Sequence, residues 1–84
     1  MKEEMRRYYA TRQRFTPERG RVYENQGGGT YRCIHAGGFL PACMAVMQNV
    51  ASGWTFTAHD CGIYEDGRMD WDFSTDGRFE EVQG

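Results

Sequence analysis

Polar and apolar residues alternate along most of this chain, and glycine breaks the alternation at short intervals. The clearest stretch is Trp54-Thr55-Phe56-Thr57-Ala58-His59. Side chains two apart on a strand share a face, so the pattern predicts a half-buried strand with Trp54, Phe56 and Ala58 inward and the hydroxyls toward solvent. Met69, Trp71 and Phe73 repeat the pattern against Asp70, Asp72 and Ser74, and Tyr31, Cys33 and His35 repeat it against Arg32 and Ile34. Residues 42–50 are apolar at both parities, with Met44 and Val46 on one and Ala45 and Met47 on the other. That predicts a central strand covered on both sides. Residues 21–25 read as a further strand, and residues 79–82 as a short edge piece guarded by its glutamates.

The interruptions are turn chemistry: Gln26-Gly27-Gly28-Gly29, Ala36-Gly37-Gly38, Ala51-Ser52-Gly53, Glu65-Asp66-Gly67 and Thr75-Asp76-Gly77. Glycine takes positive φ without steric cost and sits where a chain reverses tightly. Reversals this frequent leave room for strands and little for helices. At the start, residues 8–14 read as a strand, with residues 1–7 frayed or in one helical turn. Thr16-Pro17-Glu18 is a helix-start signature that Gly20 cuts short. The expected fold is a single, mostly β domain over residues 1–84. It is a small antiparallel meander of about five to six strands, curled into an SH3-like or similar small barrel, with at most one short helical turn.

Size constrains the core. A chain of 84 residues buries only about 60% of the surface it exposes when unfolded. Large aromatic side chains must therefore supply much of the burial. No apolar run approaches membrane-spanning length, and the expectation is a cytoplasmic protein with no membrane partner. The odd cysteine count (Cys33, Cys43, Cys61) fits half-buried thiols of a reducing compartment better than a secreted framework, with a single bridge between two of them left open.

The net charge of −2 conceals an asymmetry. Residues 1–21 carry seven bases against three acids, and the remainder three bases against nine acids. The basic segment interleaves arginine with tyrosine at Arg6, Arg7, Tyr8, Tyr9, Arg12 and Arg14, a composition that meets phosphates and stacks on bases. The competing and favoured expectation lays it along the acidic part of its own chain. Tyr64, with Tyr31, Trp54 and Trp71, could line a groove for an extended peptide.

Other constellations carry less. Cys33-x-His35 set against His59-x-Cys61 offers two ligands per strand, and four could close a tetrahedral zinc site if the two strands were antiparallel neighbours. The bland reading is one buried thiol per strand with each histidine at a rim. Cys61 beside His59 lacks the elbow and the third, orienting group that a nucleophile needs. Asp66, Asp70, Asp72 and Asp76 form an acidic band without the calcium-loop pattern, in which Asp70 and Asp72 are expected to face solvent. Residues 27–29 lack the lysine of a phosphate loop.

The block Gln48-Asn49-Val50-Ala51-Ser52-Gly53-Trp54-Thr55-Phe56-Thr57-Ala58-His59, continuing through Tyr64-Glu65-Asp66-Gly67 and Met69-Asp70-Trp71-Asp72-Phe73, resembles short hypothetical proteins of anaerobic Gram-positive bacteria and their mobile elements. The resemblance implies a bacterial, cytoplasmic protein and carries over neither an activity nor a site. The sequence as a whole points to a small non-catalytic binding module with no cofactor and with a protein or peptide partner. Nucleic-acid binding through the basic N-terminal segment is the first alternative, a zinc protein the second, and self-association is compatible with any of these.

Overall fold

The computed structural model describes residues 2–74. In chain order they form helix α1 (Glu3–Ala10), then β1 (Gln13–Arg14), β2 (Val22–Glu24), β3 (Thr30–Ala36), β4 (Ala45–Asn49), β5 (Thr55–Ile63) and β6 (Met69–Ser74). The six strands make one sheet whose ladders are all antiparallel. Its order is β6-β5-β4-β3-β2, with β1 laid beside the second half of β5. Strand β5 therefore has three partners: β4 and then β1 along one edge, and β6 along the other.

The aromatic and sulfur-bearing residues build the core. Tyr23, Cys33, Met47, Phe56, Cys61 and Met69 form a continuous buried cluster, and Phe15, Tyr31, Ile63 and Trp71 pack against it. β4 is central, as its sequence requires: Ala45, Val46 and Met47 are all buried. The β2–β3 turn depends on glycine. Gly29 holds φ +88, and a Cβ there would press on the Tyr31 ring at 3.1 Å.

Two bulges set which side chains face the core. On β3 the register shifts between Cys33 and His35. On β5 it shifts between His59 and Gly62, where Asp60 takes φ 50. An extra residue in one strand reverses the in–out alternation beyond it. Phe56 and Ala58 face the core before the β5 bulge, and Cys61 and Ile63 face it after.

Several expectations are corrected. The N-terminal segment is an eight-residue helix, more than the single turn expected, and only Gln13–Arg14 of the expected 8–14 strand is extended. Glu3 and Glu4 in its first turn and Arg7 in its last complement the helix dipole, and Arg7 pairs with Glu3 one turn away. Thr16-Pro17 starts no helix. Pro17 is buried, and the Thr16 hydroxyl accepts a hydrogen bond from the Cys43 amide in place of capping its own chain. Thr55 and Thr57 are buried where a solvent-facing row was expected, because β5 is covered on both faces. Trp54, expected inside, is 41% exposed.

The sheet also stops short of the SH3-like barrel. Among the described residues its outer strands meet at one isolated parallel bridge, Asn25 with Met69, and not along a ladder. The expected turn at Asp76-Gly77, the strand at residues 79–82 and the side chain of Phe73 lie outside the described residues.

Candidate binding surface

The basic N-terminal residues fold back onto acids of the same chain. Helix α1 turns Tyr8 and Tyr9 toward the β5–β6 hairpin, where Tyr64 stacks on Tyr8 at 4.7 Å and meets Tyr9 edge-on at 5.8 Å. The Tyr8 hydroxyl donates to the Asp66 carboxylate at 3.0 Å, and Gln26 donates to the Tyr9 hydroxyl at 2.8 Å. Arg12 follows the helix and reaches the sheet. Its Nε donates to Asp70 at 2.5 Å and its Nη2 to the Asp60 carbonyl at 2.5 Å. Tyr64 donates to the other oxygen of Asp70. Arg14 pairs with Asp60 at 2.7 Å.

These contacts set the local proton affinities. Burial first, and then the bond to Asp70, push the Tyr64 phenol up to about 12. Burial and the Asp66 bond raise Tyr8. The Asp70 bond raises Arg12. The Arg68 amide, helped by Tyr8, lowers the Asp66 carboxyl.

The sequence candidates therefore divide. Tyr8, Tyr9, Arg12 and Tyr64 converge into one cluster, and Tyr64 is buried in it. Arg14 is spent on Asp60, and Arg7 on Glu3. Arg6 is exposed on α1. Asp70, expected to face solvent, is half-buried between Arg12 and Tyr64.

The four zinc candidates do not converge. β4 lies between β3 and β5, so the two strands are not neighbours. Each bulge also falls inside one Cys–His pair: Cys33 is buried and His35 exposed, and Cys61 is buried while His59 is half-exposed. Among the described residues no group of His, Cys, Asp or Glu is arranged to hold a metal ion.

A concave feature of the surface lies where the barrel would have closed. From the Asn25–Met69 bridge, β2 and the start of the β6 hairpin diverge and leave a cleft of about 670 Å³. Phe15, Tyr23 and Ile63 supply its apolar lining. Val22 and Glu24 line one side and Asp66, Gly67 and Arg68 the other. Arg68 reaches across to Glu24 at 3.5 Å while also lying 3.9 Å from Asp66.

The backbone on the β2 side is open. The Arg21 carbonyl and the Asn25 amide bond toward β3 and its turn. Odd positions of β2 thus serve that ladder, and the amide and carbonyl of Val22 and the amide of Glu24 point into the cleft, while the Glu24 carbonyl is taken up at the Asn25–Met69 bridge. Val22 is 46% exposed. The local sequence barely announces this cleft. Its only local sign is a short strand, Arg21-Val22-Tyr23-Glu24-Asn25, with one β-branched residue set between charged neighbours.

No helix of the described residues is long and apolar enough to cross a membrane. No family model matches the chain, and no curated protein or solved structure matches it.

Proposed function

We propose that this domain is a small non-catalytic binding module that takes up an extended segment of a protein or peptide partner, added as a strand beside β2. The observation that carries this reading is the open backbone of Val22, with the Glu24 amide beside it, above an apolar lining of Phe15, Tyr23 and Ile63. An unpaired strand edge supplies main-chain hydrogen bonds, and an adjoining pocket takes alternate side chains of the guest. The guest would present one apolar side chain to Phe15 and Ile63. It would place charged neighbours within reach of Glu24, Asp66 and Arg68. In this reading the SH3-like closure is completed by the partner and not by the chain itself. Nucleic-acid binding has less support, because Arg12 and Arg14 are engaged by Asp60 and Asp70 and the tyrosines stack on one another.

The test is selection of a displayed random octapeptide library on the folded protein, followed by amide chemical-shift mapping with one selected peptide. The expected shifts centre on residues 21–24, 63 and 66–68. Val22→Pro removes an outward amide without touching the β3 ladder, and it should abolish binding while the fold persists. Shifts centred on α1 or Trp54, or unimpaired binding by Val22→Pro, would overturn the proposal.

A further inference from the structure

Two of the three cysteines, Cys43 and Cys61, meet where the loop before β4 reaches the bulge of β5. The Cys61 amide donates to the Cys43 carbonyl at 2.9 Å. The Cys43 amide donates to Thr16 Oγ1 at 2.9 Å, and the Cys61 carbonyl accepts from the Phe15 amide at 3.0 Å. Both backbones are thereby held beside each other. A single amide–carbonyl bond of this length brings the α-carbons of its two residues to about 5–6 Å, within the span of a disulfide, even though Cys43 itself sits in a turn.

Cys33 is placed differently. It pairs with Met47 of β4, which pairs in turn with Phe56 of β5. Two strand spacings, about 9.5 Å, separate Cys33 from Phe56 in the sheet, and Cys61 lies further along β5 beyond its bulge, so a bridge between Cys33 and Cys61 would need backbone movement.

The two partners differ in access. Cys43 is half-buried and Cys61 fully buried, and all three cysteines are free thiols. Burial, and then the neighbouring Cys43 and Cys33, push the Cys61 thiol up to about 12. Cys43 is also held at φ 63, a conformation unusual for a residue other than glycine, asparagine or aspartate.

We propose that Cys43 and Cys61 are a dithiol site that closes to an intrachain disulfide when the protein meets a low-molecular-mass disulfide oxidant. The Cys43 thiolate attacks one sulfur of the oxidant. The S–S bond breaks, one thiolate leaves, and a mixed disulfide remains on Cys43. The Cys61 thiol then loses its proton and its sulfur attacks that of Cys43, expelling the second thiolate. Two protein thiols are oxidised, the oxidant is reduced to two small thiols, and the protons lost by the protein go to the leaving thiolates.

The experiment exposes the folded, full-length chain to oxidised glutathione and reads its intact mass and peptide map. Trypsin leaves all three cysteines in one peptide, because no Lys or Arg lies between Arg32 and Arg68. Cleavage before Asp60 and after Phe39 separates them. The expected product has lost the mass of the two thiol hydrogens, joins the Cys43 and Cys61 peptides, and leaves Cys33 free. Cys33→Ser should still close, and Cys43→Ser should show no loss. An unchanged mass, a lasting glutathione adduct on Cys43 without an intrachain link, or a link through Cys33 would overturn the proposal. The wild-type peptide map decides among these outcomes even if a variant fails to fold.

Discussion

The guanidinium of Arg12 lies against the backbone of Gly62, in the space that a side chain at position 62 would fill. A Cβ added there would sit 2.7 Å from Nη2 and nearer still to Nε and Cζ. Glycine at this point of β5 is what lets the segment after α1 cross the sheet and reach Asp70.

Gly62→Ala should therefore act through Arg12. The side chain is displaced and loses its bonds to Asp70 and to the Asp60 carbonyl. The expected cost is about 1–3 kcal/mol, read as a lower urea midpoint with an unchanged slope. In an Arg12→Ala background the same glycine substitution should cost markedly less, since nothing remains to be displaced.

Alkaline pH should weaken the fold through Tyr64. Its phenol ionises near the ordinary value of 10.0 when unfolded and at about 12 when folded. The stability this contributes is complete below pH 10.0 and is lost as pH rises toward 12. A difference of this size corresponds to about 2–3 kcal/mol. Denaturation curves collected on either side of this window, with phenolate absorbance followed in parallel, should show the loss. Tyr64→Phe should remove the tyrosine part of that pH dependence.

Tyr8→Phe keeps the ring stacked on Tyr64 and deletes the bond to Asp66. The Asp66 carboxyl should move upward toward its ordinary value without reaching it, because the Arg68 amide still donates to it. A carbon-detected NMR titration of Asp66 in both proteins measures the shift.

Core and helix methionines should respond very differently to truncation. Met47 and Met69 are fully buried, and alanine at either should cost about 2–5 kcal/mol. Met5 on α1 is 48% exposed, and alanine there should change stability by about 0.5 kcal/mol at most. Thermal or chemical denaturation of the three variants checks the contrast.

The strands from Val22 to Ser74 were legible because their signals are local: alternating apolar residues bounded by glycine turns. What escaped reading depends on partners distant in sequence. Nothing near His35 or Asp60 announces a bulge, since a bulge is a mismatch between two strands and belongs to neither alone. Those two mismatches decide that Cys33 and His35, and likewise His59 and Cys61, do not act as same-face pairs. Helix α1 is ambiguous in the local sequence, because Tyr8, Tyr9 and Thr11 fit a strand as well as a helix, and the choice falls to contacts with Tyr64 and Asp66 many residues later. Thr16-Pro17 carries a sound start signal, but the threonine oxygen is claimed by Cys43. The cleft was invisible for the same reason, because it is a gap between segments that the sequence lists far apart.

The Asn25–Met69 contact is parallel in an otherwise antiparallel sheet. At that contact β2 and the start of β6 run in the same direction, whereas the far side of the cleft at residues 66–68 is a turn. Of the two walls, β2 alone can carry a ladder, and the antiparallel ladder is the stronger kind. A guest strand added as proposed would therefore enter with one N-to-C sense, and the cleft would tell a segment from the same residues written backwards.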